Sequence, residues 1–365
     1  MKTKVFRLFQ LAKILNKFAE VFYFISFISI VFTLTHSPLF IVFISCFVLI
    51  GKYIGNVVGL RLANNYIFST QFIKIIVLVL FFILVINNHA ASIPLMVLSF
   101  VIATLDGFFL HNMNTLQSFI SRREDMLVSN GFHVYLDPLI LLSSWIIGSL
   151  LFLKGNSEIV LFVAIILSTA SLIIFYAMPS QNSTIHLRNN QKDNGKNIHI
   201  VNVIEIVVRT SWMAVILFLL VHHQIFWWGI LNSVFFCGIV FAYFLLMKFH
   251  PTFVLFEQKI LIINTLCMGI IMFGMSFTTQ HLWMSIFVFL GGTTSQIRET
   301  ILSSRLIKKG IFRQNGLFFT CVSVTSLLTF GLIINIFGVS SLYVITSILT
   351  ILLGFYYLFG EAQHH

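Results

Sequence analysis

Apolar runs, each long enough to cross about 30 Å of hydrocarbon as a helix, recur along almost the whole chain and are parted by short polar breaks. They cover residues 18–34, 38–60, 70–86, 93–116, 131–152, 159–178, 201–221, 226–247, 259–277, 283–302, 318–336 and 340–359. A segment inside a bilayer must satisfy its own backbone hydrogen bonds, and runs of this length do so only as helices. The pattern therefore predicts an all-α integral membrane protein of about twelve transmembrane helices. Composition agrees, because 58% hydrophobic against 9% charged residues leaves too little polar surface to cover a soluble globule of this length.

The formal net charge of +11 raises the question of nucleic acid. Nucleic-acid binders carry basic residues as a patch on a polar fold, whereas here Lys and Arg sit in the breaks between apolar runs, so no nucleic-acid partner is expected. Placing the N-terminus in the cytoplasm puts Arg61, Arg122, Arg123, Arg188, Lys192, Lys196, Lys248, Lys259, Arg305, Lys308, Lys309 and Arg313 on the inner side and only Lys154 outside. The bias of basic loops towards the cytoplasm then sets a plasma-membrane, multi-pass topology with both termini inside. Residues 179–200 form the one long hydrophilic stretch, and they are read as a cytoplasmic linker between an N-terminal half, 1–178, and a C-terminal half, 201–365. The basic start runs into the first apolar stretch without a small-residue cleavage site, which predicts a permanent helix and not a signal peptide.

Weak echoes join the halves. Gly55-Asn-Val-Val-Gly59 ends the second helix and Gly238-Ile-Val-Phe-Ala242 occupies the same place in the second half. Asn130-Gly131 is echoed by Asn315-Gly316, and Glu20 in helix one by Glu205 in helix seven. Two six-helix repeats are the arrangement these echoes imply.

No GxSxG, HExxH or Walker sequence is present, so neither an enzyme nor an ATP-driven pump is expected, and no cofactor. Cys46, Cys237, Cys267 and Cys321 lie in apolar runs without ligand or disulfide spacing, which reads as small core residues. His111 and His133 have no partners at metal-ligand spacing, so no metal site is expected. The informative residues are ionisable side chains inside the apolar runs, each costing roughly 2.5–3.5 kcal/mol at a helix centre. They are Glu20, Lys52, Lys74, Asp106, Asp137, Glu205, Arg209, Arg298 and Glu299.

The opening Phe6-Arg7-Leu8-Phe9, then Ala19-Glu20-Val21-Phe22 and Thr33-Leu34-Thr35-His36-Ser37-Pro38-Leu39, resembles the start of major facilitator superfamily exporters. The macrolide-efflux and enterobactin-exporter type is the subgroup it is most similar to, and Ser121-Arg122-Arg123-Glu124-Asp125 followed by Ser129-Asn130 is similar to that subgroup's fourth loop. The resemblance implies that helices one, four, seven and ten line a central cavity, and most of the buried charges fall on those four. Departures accompany it: Asn64 and Asn65 replace the charges of the family's cytoplasmic motif, and Ser144-Trp145 stands where its fifth helix would show Gly-Pro.

Several readings remain open side by side. Glu20 either faces the cavity or pairs at the interface with Lys17, and Glu205 with Arg209, four residues apart, either neutralise one another or face substrate. Asp106 lies deep, about 15 Å from the nearest loop. Asp137, before Pro138, either bonds a kinked backbone or exchanges a proton. Arg298 and Glu299 are about 100° apart on one helix, so only one of them points fully inward. Lys52 and Lys74 are expected to snorkel towards the cytoplasm. Together these predict a secondary transporter, an efflux antiporter of a small amphipathic or hydrophobic compound, working as a monomer by alternating access. Glu20, Asp106 and Asp137 are its proton-coupling candidates, and Glu205, Arg209, Arg298 and Glu299 its substrate-cavity candidates. Asp106→Asn is expected to keep the fold while losing proton exchange. The rivals are a degenerate transporter acting as a binding or immunity factor, and a polytopic lipid-modifying enzyme.

Overall fold

The computed structural model describes residues 2–61, 66–87, 91–120, 123–178, 203–211, 225–278, 280–308 and 316–360, all of whose regular structure is helical. In chain order the helices are α1 (Lys2–Thr35), α2 (Pro38–Arg61), α3 (Ile67–Ile86), α4 (Ser92–Ile120), α5 (Arg123–Tyr176), α6 (203–211), α7 (Ile225–Lys248), α8 (His250–Leu255), α9 (Glu257–Met275), α10 (His281–Lys308), α11 (Gly316–Phe337) and α12 (Val339–Gly360). Among the described residues ten helical segments are long and apolar enough to cross a membrane. The protein is thus an all-α, multi-pass membrane protein. The linker 179–200 and the motif residues Asn64 and Asn65 lie outside the described residues.

Three boundaries differ from the apolar runs, each for a physical reason. α1 starts at Lys2, sixteen residues before its apolar run, because its basic first turns have an inner face on which Phe9 and Ala12 are buried. α5 carries two spans, Leu136–Lys154 and Asn156–Tyr176. They meet at Asn156, whose φ of +60° is a left-handed conformation that asparagine tolerates. α10 is long enough to span, yet its second half bears Thr293, Thr294, Ser295, Gln296, Arg298 and Glu299, and it is not among the apolar spans.

The chain forms two compact units, Met1–Val134 with Leu150–Ile198, and Tyr135–Ser149 with His199–His365. In the first unit α4 packs on α1, α2 and α3; in the second, α10 packs on α7 and α9, while α12 packs on α9 and α11. The stretch Tyr135–Ser149 of α5 belongs to the second unit, where the indole of Trp145 meets that of Trp228 edge to face at 4.9 Å.

Glycines set the closest seams, and they repeat between the units. On α2, Gly51 and Gly55 lie four residues apart against α4, where a Cβ on Gly55 would fall 1.9 Å from the Thr104 carbonyl oxygen. From α4, Gly107 faces the Lys52 carbonyl oxygen, 2.2 Å from where its Cβ would be. In the second unit a Cβ on Gly238 of α7 would fall 2.1 Å from the Phe289 carbonyl oxygen of α10, and one on Gly292 of α10 would fall 2.2 Å from the Phe235 carbonyl oxygen. Small residues four apart let membrane helices touch along their backbones, which gives the Gly55 and Gly238 echoes their shared cause.

α3 shows which solvent the fold requires. Its buried face carries Gln71 and Lys74 beside Leu78 and Phe81, while Phe72, Ile76, Leu80 and Ile83 are exposed. Polar inside and apolar outside inverts the pattern of a soluble helix, and lipid is the medium that satisfies it. The same logic corrects the reading of the cysteines: Cys46 is buried, but Cys237, Cys267 and Cys321 lie on exposed faces. An apolar position in a membrane helix is as consistent with lipid as with a core.

Candidate functional site

The deepest polar cluster of the first unit joins α1, α3, α4 and the second span of α5. On α1, Asn16, Glu20 and Tyr23 follow one another at spacings of four and three, so they share a helix face. On α3, Gln71 and Lys74 share another. Lys74 Nζ donates to Asp106 Oδ1 at 2.6 Å and to Asn16 Oδ1 at 3.0 Å. The pair is dry, with side chains only 1% and 5% exposed. The second oxygen of Asp106 accepts a short hydrogen bond from the Tyr23 hydroxyl, and the ammonium lies 5.4 Å from the centre of the Tyr23 ring. Gln71 Nε2 also donates to Asn16 Oδ1, at 3.0 Å, and to the Ser168 carbonyl, at 3.4 Å.

This arrangement changes the reading of Lys74. Snorkelling would place its ammonium at the interface, whereas the side chain is fully buried. The reason is electrostatic: the Asp106 carboxylate and the Asn16 amide oxygen accept from the ammonium in a medium where a lone charge is far costlier than a paired one. It also changes the expectation for Asp106→Asn, because an amide there leaves the Lys74 ammonium buried without its counter-charge.

One turn nearer the N-terminus, Glu20 accepts from Lys17 at 3.0 Å and from Lys52 at 2.5 Å. The ion pair to Lys17 along α1 coexists with a cross-helix partner on α2. Lys52 is partly exposed and reaches across to α1. Glu20, Lys17, Lys52, Asn16 and Asp106 line one cleft, closed on its apolar side by Phe109 and Met113. Its size, about 30 Å³, suits a water or two and not an organic molecule.

The second unit builds a separate cluster around α10. Arg209 of α6 does not pair with Glu205 along its own helix. It pairs with Glu299 of α10 at 3.1 Å, both side chains being well exposed at 49% and 36%, and its guanidinium lies 5.2 Å from the Phe319 ring centre. Glu205 instead accepts a short hydrogen bond from the Tyr357 hydroxyl of α12. Arg298 also faces that hydroxyl. Of the neighbours on α10, then, Arg298 points inward and is buried, while Glu299 turns to the exposed side. Flanking it, Gln296 Nε2 donates to the Tyr243 hydroxyl at 2.9 Å and Asn264 Nδ2 to the Thr294 carbonyl at 2.5 Å.

Asp137 is half-buried on α5 immediately before Pro138 and belongs to the second unit. Its sequence neighbours Asn130 and His133 have side chains outside the described residues. Of the seven candidates, Glu20 and Asp106 lie on one cleft, Glu205, Arg209, Arg298 and Glu299 belong to one cluster, and Asp137 sits on α5 in the second unit. Sequence reasoning missed Tyr23, Asn16, Gln71 and Tyr357. The shared face of Asn16, Glu20 and Tyr23 was a usable signal; nothing in the sequence pointed from Glu205 to Tyr357, 152 residues away.

With this geometry in hand, comparison with known proteins adds the architecture. No protein-family model matches the chain, and no curated protein sequence matches it. Solved structures do. The nucleoside transporter NupG, in a point-mutant form, superposes with a TM-score of 0.73 at 10% identity, over 96% of this chain and 99% of that one. The xylose transporter XylE from E. coli in a partially occluded inward-open conformation gives 0.67 at 13% identity, over 96% and 98%. A peptide transporter POT, also a point mutant, gives 0.69 at 11% identity, over 99% and 94%. The chain has their fold. It is a major-facilitator-like, all-α membrane fold of about twelve helices in two six-helix repeats, and at such low identity the likeness speaks for the architecture alone.

Proposed function

We propose that the protein is a secondary transporter that exports a small amphipathic or hydrophobic compound by alternating access, coupled to protons through Asp106. The observation that carries this reading is the buried Lys74–Asp106 pair, capped by Tyr23 and reached by the cleft that also holds Glu20. Membrane helices carry such groups at a cost of several kcal/mol, which a purely packing role would avoid with apolar side chains. Protonation of Asp106 would cancel the anion that holds Lys74 and Tyr23, loosening α3 and α1 from α4 together. A switch of this kind biases a two-state equilibrium only if the two states hold the proton with different affinity, and weakening the Lys74 and Tyr23 contacts together provides that difference. The fold shared with nucleoside, xylose and peptide transporters supports transport as the class of function. The opening residues that resemble macrolide-efflux and enterobactin exporters support export by antiport. Monomeric operation in the plasma membrane, with both termini cytoplasmic, completes the reading.

A second reading has one observation in its favour: both acids of the cleft are already neutralised by lysines. A degenerate transporter that binds a ligand without moving it, as an immunity factor would, fits a closed charge network. One experiment separates the two. Proteoliposomes holding the purified protein and the amphipathic dye ethidium are given a pH gradient, and dye flux is followed by fluorescence for the parent, Asp106→Asn and Asp106→Glu, each first shown to be monodisperse. Proton-driven flux in the parent and Asp106→Glu but not Asp106→Asn is expected. Equal flux with and without the gradient in the parent would refute proton coupling, and binding of the dye without flux would favour the degenerate transporter.

A further inference from the structure

We infer that one edge of the Arg298 guanidinium is a binding site for an oxyanion, a carboxylate or phosphate group on the compound that this protein handles. Arg298 lies in the polar half of α10 and is only 4% exposed. Two of its nitrogens, Nε and Nη2, are buried with no hydrogen-bond partner among the described residues. They are not an arbitrary pair: Nε–H and one N–H of Nη2 point side by side along a single edge of the planar group. That edge is the one with which arginine grips two oxygens of a carboxylate or phosphate at once.

The guanidinium carries donors and no acceptor, so the edge needs an acceptor from another group. Of the acids of this unit, Glu299 is engaged with Arg209 at 3.1 Å, Glu257 with Arg305 at 2.9 Å and Glu205 with the Tyr357 hydroxyl, and Asp137 sits on α5. Among the described residues none forms a salt bridge to Arg298. Buried donors are nearly always satisfied in native proteins, and one left dry calls for an explanation. Here the two orphans belong to a single fixed charge and are aligned for a single bidentate acceptor, with the Tyr357 hydroxyl beside them as a further polar contact.

The inference deepens the transport reading by naming a chemical class: the amphipathic compound carries an anionic head. It rests on that reading only for what happens to the compound after it binds. A neutral hydrophobic compound would leave the edge dry, and a cationic one would be repelled by it. Arg298 touches the ligand directly under this proposal, whereas a merely structural role would tie it to Glu205 through Tyr357 and be indifferent to ligand charge.

The test uses the full chain in lipid nanodiscs, titrated with octanoate, octyl phosphate and octanamide, which share a tail and differ in head, and read by tryptophan fluorescence and by ligand-induced thermal shift. At least one anion should bind roughly tenfold or more tightly than the amide, as expected for a charge-assisted bidentate contact. Which of octanoate and octyl phosphate leads identifies the head. Arg298→Gln should erase the preference for charge, and Arg298→Lys, which keeps the charge without the fork, should lose most of it. Equal binding of the anions and the amide by the parent, including no binding of any, overturns the proposal, as does a full preference retained in Arg298→Gln. Should Arg298→Gln fail to fold, an undiminished preference in Arg298→Lys overturns the forked geometry by itself. Ligand binding that prefers anions but gives no flux in proteoliposomes sinks the transport reading and leaves this site standing; flux without charge preference does the reverse.

Discussion

Replacing either member of the Lys74–Asp106 pair tests the central claim that this pair is a closed, desolvated unit. The side chains are 1% and 5% exposed and their charged atoms lie 2.6 Å apart. Removing one partner from a buried pair strands the other charge and typically costs about 3–5 kcal/mol. Asp106→Asn leaves an ammonium whose remaining acceptor is Asn16 Oδ1 at 3.0 Å, and Lys74→Met leaves a carboxylate held by the Tyr23 hydroxyl alone. Removing both charges together strands nothing, so the double variant Lys74→Met/Asp106→Asn should be less damaged than the sum of the singles by about 2 kcal/mol or more. The assay is equilibrium unfolding in mixed micelles followed by tryptophan fluorescence, with all four proteins of the cycle measured in one buffer. Losses that add to within about 0.5 kcal/mol, the range of independent sites, would refute the claim that the two charges depend on one another.

Other consequences follow from particular contacts. Tyr23→Phe removes only the hydroxyl that Asp106 accepts and should cost about 1.5–3 kcal/mol in the same assay, the range for a hydrogen bond to a charged group; a neutral outcome would place that hydroxyl elsewhere. Gly55→Leu and Gly238→Leu should both prevent accumulation of monodisperse protein on size-exclusion chromatography, since even a Cβ would fall 1.9 and 2.1 Å from a carbonyl oxygen of the facing helix; normal yields would mean that the seams can open. Glu299→Gln breaks only the exposed pair with Arg209 and should shift stability by less than about 1 kcal/mol, checked against Arg298→Gln, for which a much larger effect on ligand charge preference is expected. Single-cysteine labelling in a chain lacking Cys46, Cys237, Cys267 and Cys321 should find Arg305→Cys reactive from the cytoplasm and Asn156→Cys reactive from outside, and the opposite result would reverse the topology drawn from the basic loops.

The second cluster shows how far local spacing carries an argument about partners. Four residues separate Glu205 from Arg209, and that spacing offered a pair along one helix, yet each side chain turned to another helix: Arg209 to Glu299 on α10 and Glu205 to Tyr357 on α12. A surface pair along a helix contributes only about 0.2–0.5 kcal/mol, so any well-placed partner on a neighbouring helix outcompetes it. The neighbours Arg298 and Glu299 behaved as their 100° separation requires, one inward and one outward, although nothing in their order said which.

What the sequence by itself determined is the class of structure. The length and repetition of the apolar runs leave helices across a bilayer as the solution, because backbone groups in hydrocarbon have no other partners. It also marked which side chains need a polar partner, since a charge within such a run persists only where protein or water receives it. The tertiary structure alone decided what each of those charges meets. Lys74 looked like a snorkelling lysine until α1 and α4 brought Asn16 and Asp106 to it, 58 and 32 residues away in sequence. Cys237, Cys267 and Cys321 looked like core until their helices turned them outward. Hydropathy reports the free energy of leaving water, which is nearly the same for a lipid-facing and a protein-facing position. The choice between those two surroundings, and the pairing of one buried charge with another, is made only when the helices pack.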